Sequence, residues 1–213
     1  MDQKKWDVYL SLQGNDENTP ATNEDITTPF VQKYRELKEL NVFEYFNQPD
    51  YNKILVIGAG DGAEVISFMC RGYDVIGTTM HYSDKYFAKE YYNIDLVIED
   101  MHDMTSIQSN SYDGIFSSHS LEHSIAPLIT IYEMRRVLRL GGKILCVLPT
   151  IGTDLETGLQ HYSVLRNELW NHLFDIIGFD DITINSSCGG ITIKAIKGNR
   201  DCVGTHFERS LKN

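Results

Sequence analysis

Between Glu90 and Met134 the chain has no lysine or arginine, while Glu90, Asp95, Glu99, Asp100, Asp103, Asp113, Glu122 and Glu133 all fall inside that stretch. Over all 213 residues, 19 Lys and Arg stand against 30 Asp and Glu, a formal net charge of −11. A chain this poor in cations lacks the basic face needed to grip nucleic acid or an anionic lipid surface. Also missing is any apolar run near the roughly 18 residues of a membrane span. Met1 to Val8 carries no signal-peptide core, so a cytoplasmic protein is expected. The four cysteines, Cys70, Cys146, Cys188 and Cys202, are far apart and form no C-x-x-C pair. They read as reduced thiols rather than as a disulfide framework, and Cys70 and Cys146, set among apolar residues, are expected to be buried. No repeat or low-complexity tract is present. What remains is 42 % hydrophobic and 23 % charged, an ordinary globular composition at the length of one domain.

Residues 11–28 are polar and rich in turn formers, which predicts a mobile N-terminal arm or lid over 1–28. Pro29 then opens a helical pattern with Phe30, Tyr34, Leu37, Leu40 and Phe43 at three- and four-residue spacing. From Asn52 onward short apolar runs (Ile54–Ile57, Val75–Ile76, Leu96–Ile98, Gly114–Phe116, Ile144–Leu148) alternate with helix-like segments at 62–71, 83–92 and 125–140. Continuous apolar strands separated by helices imply a doubly wound α/β fold with right-handed crossovers. A further helix is expected from Ser163 to Ile177, stopped by Gly178. The runs Phe179–Asn185 and Gly190–Ile196 follow, and their short connection allows only an antiparallel pair. The domain is thus expected over 29–198, with a tail over 199–213.

Gly58-Ala59-Gly60-Asp61-Gly62-Ala63-Glu64 follows an apolar strand and opens a helix. Glycines permit positive φ and close approach of a ligand to the backbone, and free N–H groups at a helix start favour an anion. Asp61 and Glu64 have capping-box spacing. Two ligand classes satisfy the loop: Gly58-x-Gly60-x-x-Ala63 fits the dinucleotide fingerprint, and Gly58-x-Gly60-x-Gly62 fits the loop of proteins that use S-adenosylmethionine.

Later segments separate them. Glu99-Asp100 after the third strand, Tyr112-Asp113-Gly-Ile-Phe-Ser-Ser-His119-Ser-Leu-Glu122-His123 at the fourth, and Glu133-Met-Arg-Arg-Val-Leu-Arg-Leu-Gly141-Gly142 complete a series. With the glycine loop and the terminal strand pair, it resembles the class I S-adenosylmethionine-dependent methyltransferases, in particular the small-molecule type 11 group. The resemblance implies a single Rossmann-like domain with a mostly parallel seven-stranded sheet and a C-terminal antiparallel pair. It implies that Gly58, Ala59, Gly60 and Gly62 line the cofactor, that Asp100 and Met101 flank its adenine, and that Ser118 and His119 lie beside the sulfonium. Where the family has an acid at the end of the second strand for the ribose hydroxyls, this chain has Thr79, with His81 and Asp84 as nearby substitutes; Val56 replaces another acid before the loop.

His119, Glu122 and His123 also spell H-x-x-E-H, a metalloprotease pattern that would require one long helix. In some quinone O-methyltransferases that the segment resembles, the corresponding group binds a divalent ion, making His119, Glu122 and His123 metal candidates. The plainer expectation is that Glu122 and His123 cap the following helix and no metal is bound. His161, in His161-Tyr162-Ser163, resembles the family's stretch over the reactive end and is a candidate base, with His123 and His119 beside it. His102, His172 and His206 have no context that marks them.

The function expected is methyl transfer from S-adenosylmethionine to the oxygen or nitrogen of a small molecule, with an NAD(P)-dependent oxidoreductase or a catalytically silent methyltransferase-like binding protein as alternatives. An acidic field over 90–134 suits a positive sulfonium and opposes the extra phosphate of NADP.

Overall fold

The computed structural model describes residues 29–152, 158–187 and 190–200. The expected arm over 1–28 and the tail beyond Arg200 lie outside the described residues. Seven strands form a mixed sheet, mostly parallel with a C-terminal antiparallel pair as expected: up to Ile98, β1 (Lys53–Ile57), β2 (Asp74–Thr79) and β3 (Val97–Ile98) pair in parallel, and beyond it β4 (Tyr112–Ser118) pairs in parallel with β5 (Leu138–Pro149), whose other edge pairs antiparallel with β7 (Gly190–Lys197), itself antiparallel to β6 (Phe179–Ser187). The chain divides after Ile98 into two compact units.

In the first unit the helix expected from Pro29 is two, α1 (Pro29–Glu39) and α2 (Val42–Phe46), because Asn41 takes a left-handed conformation with φ 53° between them. Each half keeps its apolar stripe: Tyr34 packs on Phe43 with ring centroids 5.2 Å apart, and Phe43 meets Phe68 edge-on at 5.5 Å. Strand β1 (Lys53–Ile57) is buried beyond its first residue and pairs in parallel with β2 (Asp74–Thr79), which pairs with the short β3 (Val97–Ile98). Between them lie α3 (Ala63–Cys70), almost wholly buried, and α4 (Tyr82–Tyr92). Gly77 on β2 lets α3 close on the strand, since a Cβ there would stand 2.5 Å from Val65 and 2.9 Å from Ala59.

The second unit begins with β4 (Tyr112–Ser118) and a single 3₁₀ turn, Leu121–His123, before α5 (Pro127–Val137). The helix expected to reach residue 140 stops at Val137, because Leu138 is already extended and Gly141 turns with φ 75°. Arg139-Leu-Gly-Gly therefore joins β5 (Leu138–Pro149). Helix α6 (Asn167–Ile177) starts four residues later than expected and ends on Gly178 at φ 91° as expected. The delay has a cause: Ser163 donates its backbone N–H to Glu122 and its hydroxyl to Ser124 instead of starting a helix. Strands β6 (Phe179–Ser187) and β7 (Gly190–Lys197) form the antiparallel pair. Cys70 and Cys146 are buried free thiols, as expected, and burial raises both thiol pKa values.

Two buried carboxylates have cations beside them. Glu133 on α5 accepts from the Met104 N–H at 2.9 Å and forks with Arg136 at 2.8 Å, and Arg136 also donates to the carbonyls of Met104 and Ile107. Arg136→Ala is expected to lower stability by about 2–3 kcal/mol in urea unfolding; an unchanged midpoint would show that the clamp carries no weight. Glu64, in the first turn of α3, has Lys33 at 3.4 Å, yet burial outweighs that attraction and lifts its pKa to about 7 from 4.5. The folded state therefore holds this proton more tightly than the unfolded chain. The fold suffers no penalty from this group below about pH 4.5 and an increasing one up to about pH 7, on the order of 3 kcal/mol. Glu64→Gln is expected to flatten the loss of stability across that window; parallel stability–pH curves for variant and parent would refute the assignment.

Candidate active site

In the first unit, Gly58, Gly60 and Gly62 have φ of 70°, 48° and 88°, so all three use the left-handed region that glycine enters without strain. Ala59 donates to Thr78 at 2.7 Å and Gly62 to Ala59 at 2.8 Å, which folds the loop tightly over the end of β2. A Cβ built on Gly60 would meet nothing within 4 Å, so the backbone there opens on free space. The expected capping box is not formed. Gly62, not Asp61, occupies the cap position; the Asp61 carboxylate accepts instead from the Ala63 N–H at 2.9 Å, and Glu64 turns to Lys33.

At the end of β2 the Thr79 hydroxyl is already engaged. It donates to the Asp84 carboxylate at 2.9 Å and accepts from the His81 N–H at 3.2 Å. A buried threonine thus holds an acid from the first turn of α4 at the position where the family resemblance calls for one.

In the second unit, Asp100 sits in a tight turn. One carboxylate oxygen accepts from the His102 N–H at 2.9 Å and faces His102 Nδ1 at 2.6 Å. The backbone N–H is the main cause that holds the Asp100 pKa below the usual carboxylate range. His102 Nε2 stands 2.9 Å from Ser124 Oγ, which pairs with Thr130 at 2.9 Å. The sequence Asp100–His102–Ser124 has the spacing of a nucleophilic triad, but Ser124 is fully buried, so no substrate reaches its hydroxyl. The chain is a tie between the Asp100 turn and the segment leading into α5. His102 was without a marking signal in the sequence; the Asp-x-His spacing is the one that could have found it. Met101 beside it is half-buried.

Ser118 ends β4, nearly buried, and its carbonyl accepts from the Ser120 hydroxyl. His119 follows at φ 48°, its N–H held by Val147 at 2.9 Å. The 3₁₀ turn then places Glu122 inward, 1 % exposed. Neither carboxylate oxygen has a hydrogen-bond partner among the described residues. His119 Nδ1 stands 3.5 Å from one of them, too far for a charge-assisted hydrogen bond. Helix α5 is capped by no side chain at its N-cap Ala126, so the expectation that Glu122 and His123 cap it is corrected. The metalloprotease pattern lacks its long helix.

The segment before α6 is laid against this turn. Its Ser163 binds Glu122 O and Ser124 O, its Gln160 carbonyl faces His123 Nδ1 at 2.9 Å, and its His161 ring meets the His123 ring edge-on at 4.8 Å. Glu122, His123 and His161 each bring a ligand-type atom within 4.8 Å of the others. The sequence singled out all three but grouped Glu122 and His123 with His119 rather than with His161.

Residues 55–146 match the model of the methyltransferase-domain family. No curated protein sequence matches the chain significantly. Among solved structures, an S-adenosylmethionine-dependent methyltransferase from Archaeoglobus fulgidus superposes with a TM-score of 0.66 at 16 % identity, covering 79 % of this chain and 94 % of its own. The CurJ carbon methyltransferase gives 0.64 at 17 %, covering 81 % and 56 %. The [4+2]-cyclase SpnF gives 0.63 at 16 %, covering 78 % and 81 %. These likenesses establish the fold. Residues 55–146 are thus similar to the methyltransferase-domain family and sit on the fold shared with S-adenosylmethionine-dependent methyltransferases.

Proposed function

We propose that the protein transfers the methyl group of S-adenosylmethionine to an oxygen or nitrogen of an apolar small molecule. The observation that carries the cofactor half is the Thr79–Asp84 bond. A lone threonine hydroxyl cannot accept from both ribose hydroxyls, whereas the carboxylate it holds can, with charge-assisted bonds roughly twice as strong as neutral ones. In this reading Asp84 takes the ribose, Gly58, Ala59, Gly60 and Gly62 take the methionine part, and Asp100 and Met101 flank the adenine. Ser118 and His119 stand beside the sulfonium.

For the acceptor, the polar group of Glu122, His123 and His161 is flanked in sequence by Ile125, Leu159 and Tyr162, whose exposures are 75 %, 99 % and 63 %. Apolar side chains around a few polar groups suit a small, largely apolar acceptor with one nucleophilic atom. Its proton leaves through that group, and transfer is an in-line displacement with nucleophile and methyl held about 3–3.5 Å apart. The formal net charge of −11 disfavours nucleic acid, and the absence of Lys and Arg over 90–134 favours a cationic cofactor.

Calorimetric titration tests this. The protein is expected to bind S-adenosylhomocysteine saturably and to ignore NAD and NADP; binding of the nicotinamide cofactors instead, or of none of the three, would overturn the reading. Asp84→Ala is expected to weaken adenosylhomocysteine about tenfold, the loss of about 1.4 kcal/mol from one charged hydrogen-bonding group. Unchanged affinity in Asp84→Ala would remove it from the ribose site.

A further inference from the structure

We propose that His102 is a positioning residue that sets the selectivity of the cofactor site for adenine over hypoxanthine, by holding one oxygen of Asp100 and leaving the other to the exocyclic amine. The adenine contact rests on the methyl-transfer reading; the hold of His102 on Asp100 does not.

The first observation is where the bonds fall on Asp100. The His102 N–H at 2.9 Å and its ring Nδ1 at 2.6 Å both meet the same oxygen, Oδ1. Oδ2 has no hydrogen bond among the described residues and the side chain is 47 % exposed, so this acceptor is open to a ligand. Two bonds on one oxygen fix the rotation of the carboxylate. An ordinary exposed aspartate must be immobilised when a ligand binds, whereas this one is held beforehand, which lowers the ordering cost of binding.

The second observation is what holds His102. An ionised carboxylate only accepts, so Nδ1 carries the hydrogen, and Nε2 stands 2.9 Å from Ser124 Oγ. Ser124 Oγ also accepts from the Ala126 N–H at 3.2 Å and pairs with Thr130 Oγ1 at 2.9 Å. With a neutral imidazole, Ser124 gives its hydrogen to Nε2 and takes those of Ala126 and Thr130, which fills every hydrogen-bonding position it has. Ser124 and Thr130 are fully buried, so water does not compete for the ring at that end. The two hydroxyls do not need the imidazole, because Ser124 can donate to Thr130 instead. The bond to His102 is therefore surplus to their burial, and its effect falls on the exposed end, at Asp100.

The third is the support of the turn. The Asp103 N–H returns to the Asp100 carbonyl at 3.0 Å; at the far end the Met104 N–H bonds to Glu133 while Arg136 donates to the Met104 carbonyl. Thr130 and Glu133 stand three residues apart on α5 and share one helix face. That face holds the turn at both ends, through Ser124 and His102 at Asp100 and directly at Met104.

The exocyclic amine of adenine donates, and its N1 accepts. Hypoxanthine has a carbonyl oxygen in place of the amine and an N–H at N1. A carboxylate oxygen held opposite the amine repels that carbonyl, whereas a carboxylate free to turn reaches the N–H at N1 instead. Fixing Asp100 therefore works against the wrong base as well as for the right one.

S-adenosylhomocysteine and S-inosylhomocysteine are titrated calorimetrically into the same samples of parent, His102→Gln and His102→Asn. A glutamine amide takes the place of Nε2 and an asparagine amide that of Nδ1, so only asparagine keeps a side-chain donor for Asp100. The parent is expected to prefer the adenosyl ligand by about twentyfold or more. His102→Gln is expected to lower that ratio about fivefold, the ordering cost of one side chain, and His102→Asn to stay within about twofold of the parent. In an Asp100→Ala background, His102→Gln is expected to change neither affinity. Any loss of folded protein affects both ligands equally and cancels from the ratio. An unchanged ratio in His102→Gln, an equal fall in both variants, or a further effect of His102→Gln in Asp100→Ala overturns the assignment. A parent that binds both ligands equally overturns it too and leaves methyl transfer standing; a parent that binds neither refutes methyl transfer and the adenine contact together.

Discussion

The cost of burying a carboxylate organises much of this chain, and it is met in three ways. At Glu133 it is met fully, by the Arg136 guanidinium and the Met104 N–H, and the same arginine gathers the carbonyls of the loop that precedes β4. At Glu64 it is met incompletely, since Lys33 stands near but the carboxyl still holds its proton to about pH 7. At Glu122 it is not met by hydrogen bonds among the described residues. A fold that answers the first two with cations from its own chain has left the third beside His119, His123 and His161.

The glycine loop shows the opposite economy, in which the backbone rather than a side chain sets the local structure. Three left-handed glycines and two internal hydrogen bonds hold the loop against the end of β2, with open space over Gly60. The same end of β2 holds Thr79 and, through it, Asp84. Threonine here is a holder of an acid rather than a weak substitute for one, so the departure from the family pattern at this position does not remove its charge.

Much of the architecture was legible in the sequence because it rests on local signals. An apolar run marked part of each of the seven strands, the short connection after Asn185 fixed the antiparallel pair, and Gly178 stopped α6. Where reading failed, a left-handed backbone position or a longer-range contact had overridden the apolar periodicity. Asn41 broke one helical stripe into two, Gly141 drew Arg139-Leu-Gly-Gly out of a helix and into β5, and Ser163 was held by Glu122 and Ser124 before α6 could begin. The site followed the same rule. Its residues were recognisable singly, but the meeting of His161 with Glu122 and His123 depends on hydrogen bonds spanning nearly forty residues, which no spacing reveals. Within the cation-free stretch Asp95, Asp113 and Glu133 are paired with Lys89, Arg139 and Arg136, which lie just outside it.

The same fold supports a carbon methyltransferase and a cyclase among its structural relatives, so chemistry here is decided by side chains and not by the sheet. The most direct measurement is a crystal structure of the protein grown with S-adenosylhomocysteine. Methyl transfer as described requires the amino-acid end of the ligand against Gly58–Gly62, both ribose hydroxyls on Asp84 and the adenine beside Asp100. Ligand density elsewhere, or ribose hydroxyls turned away from Asp84, would contradict it.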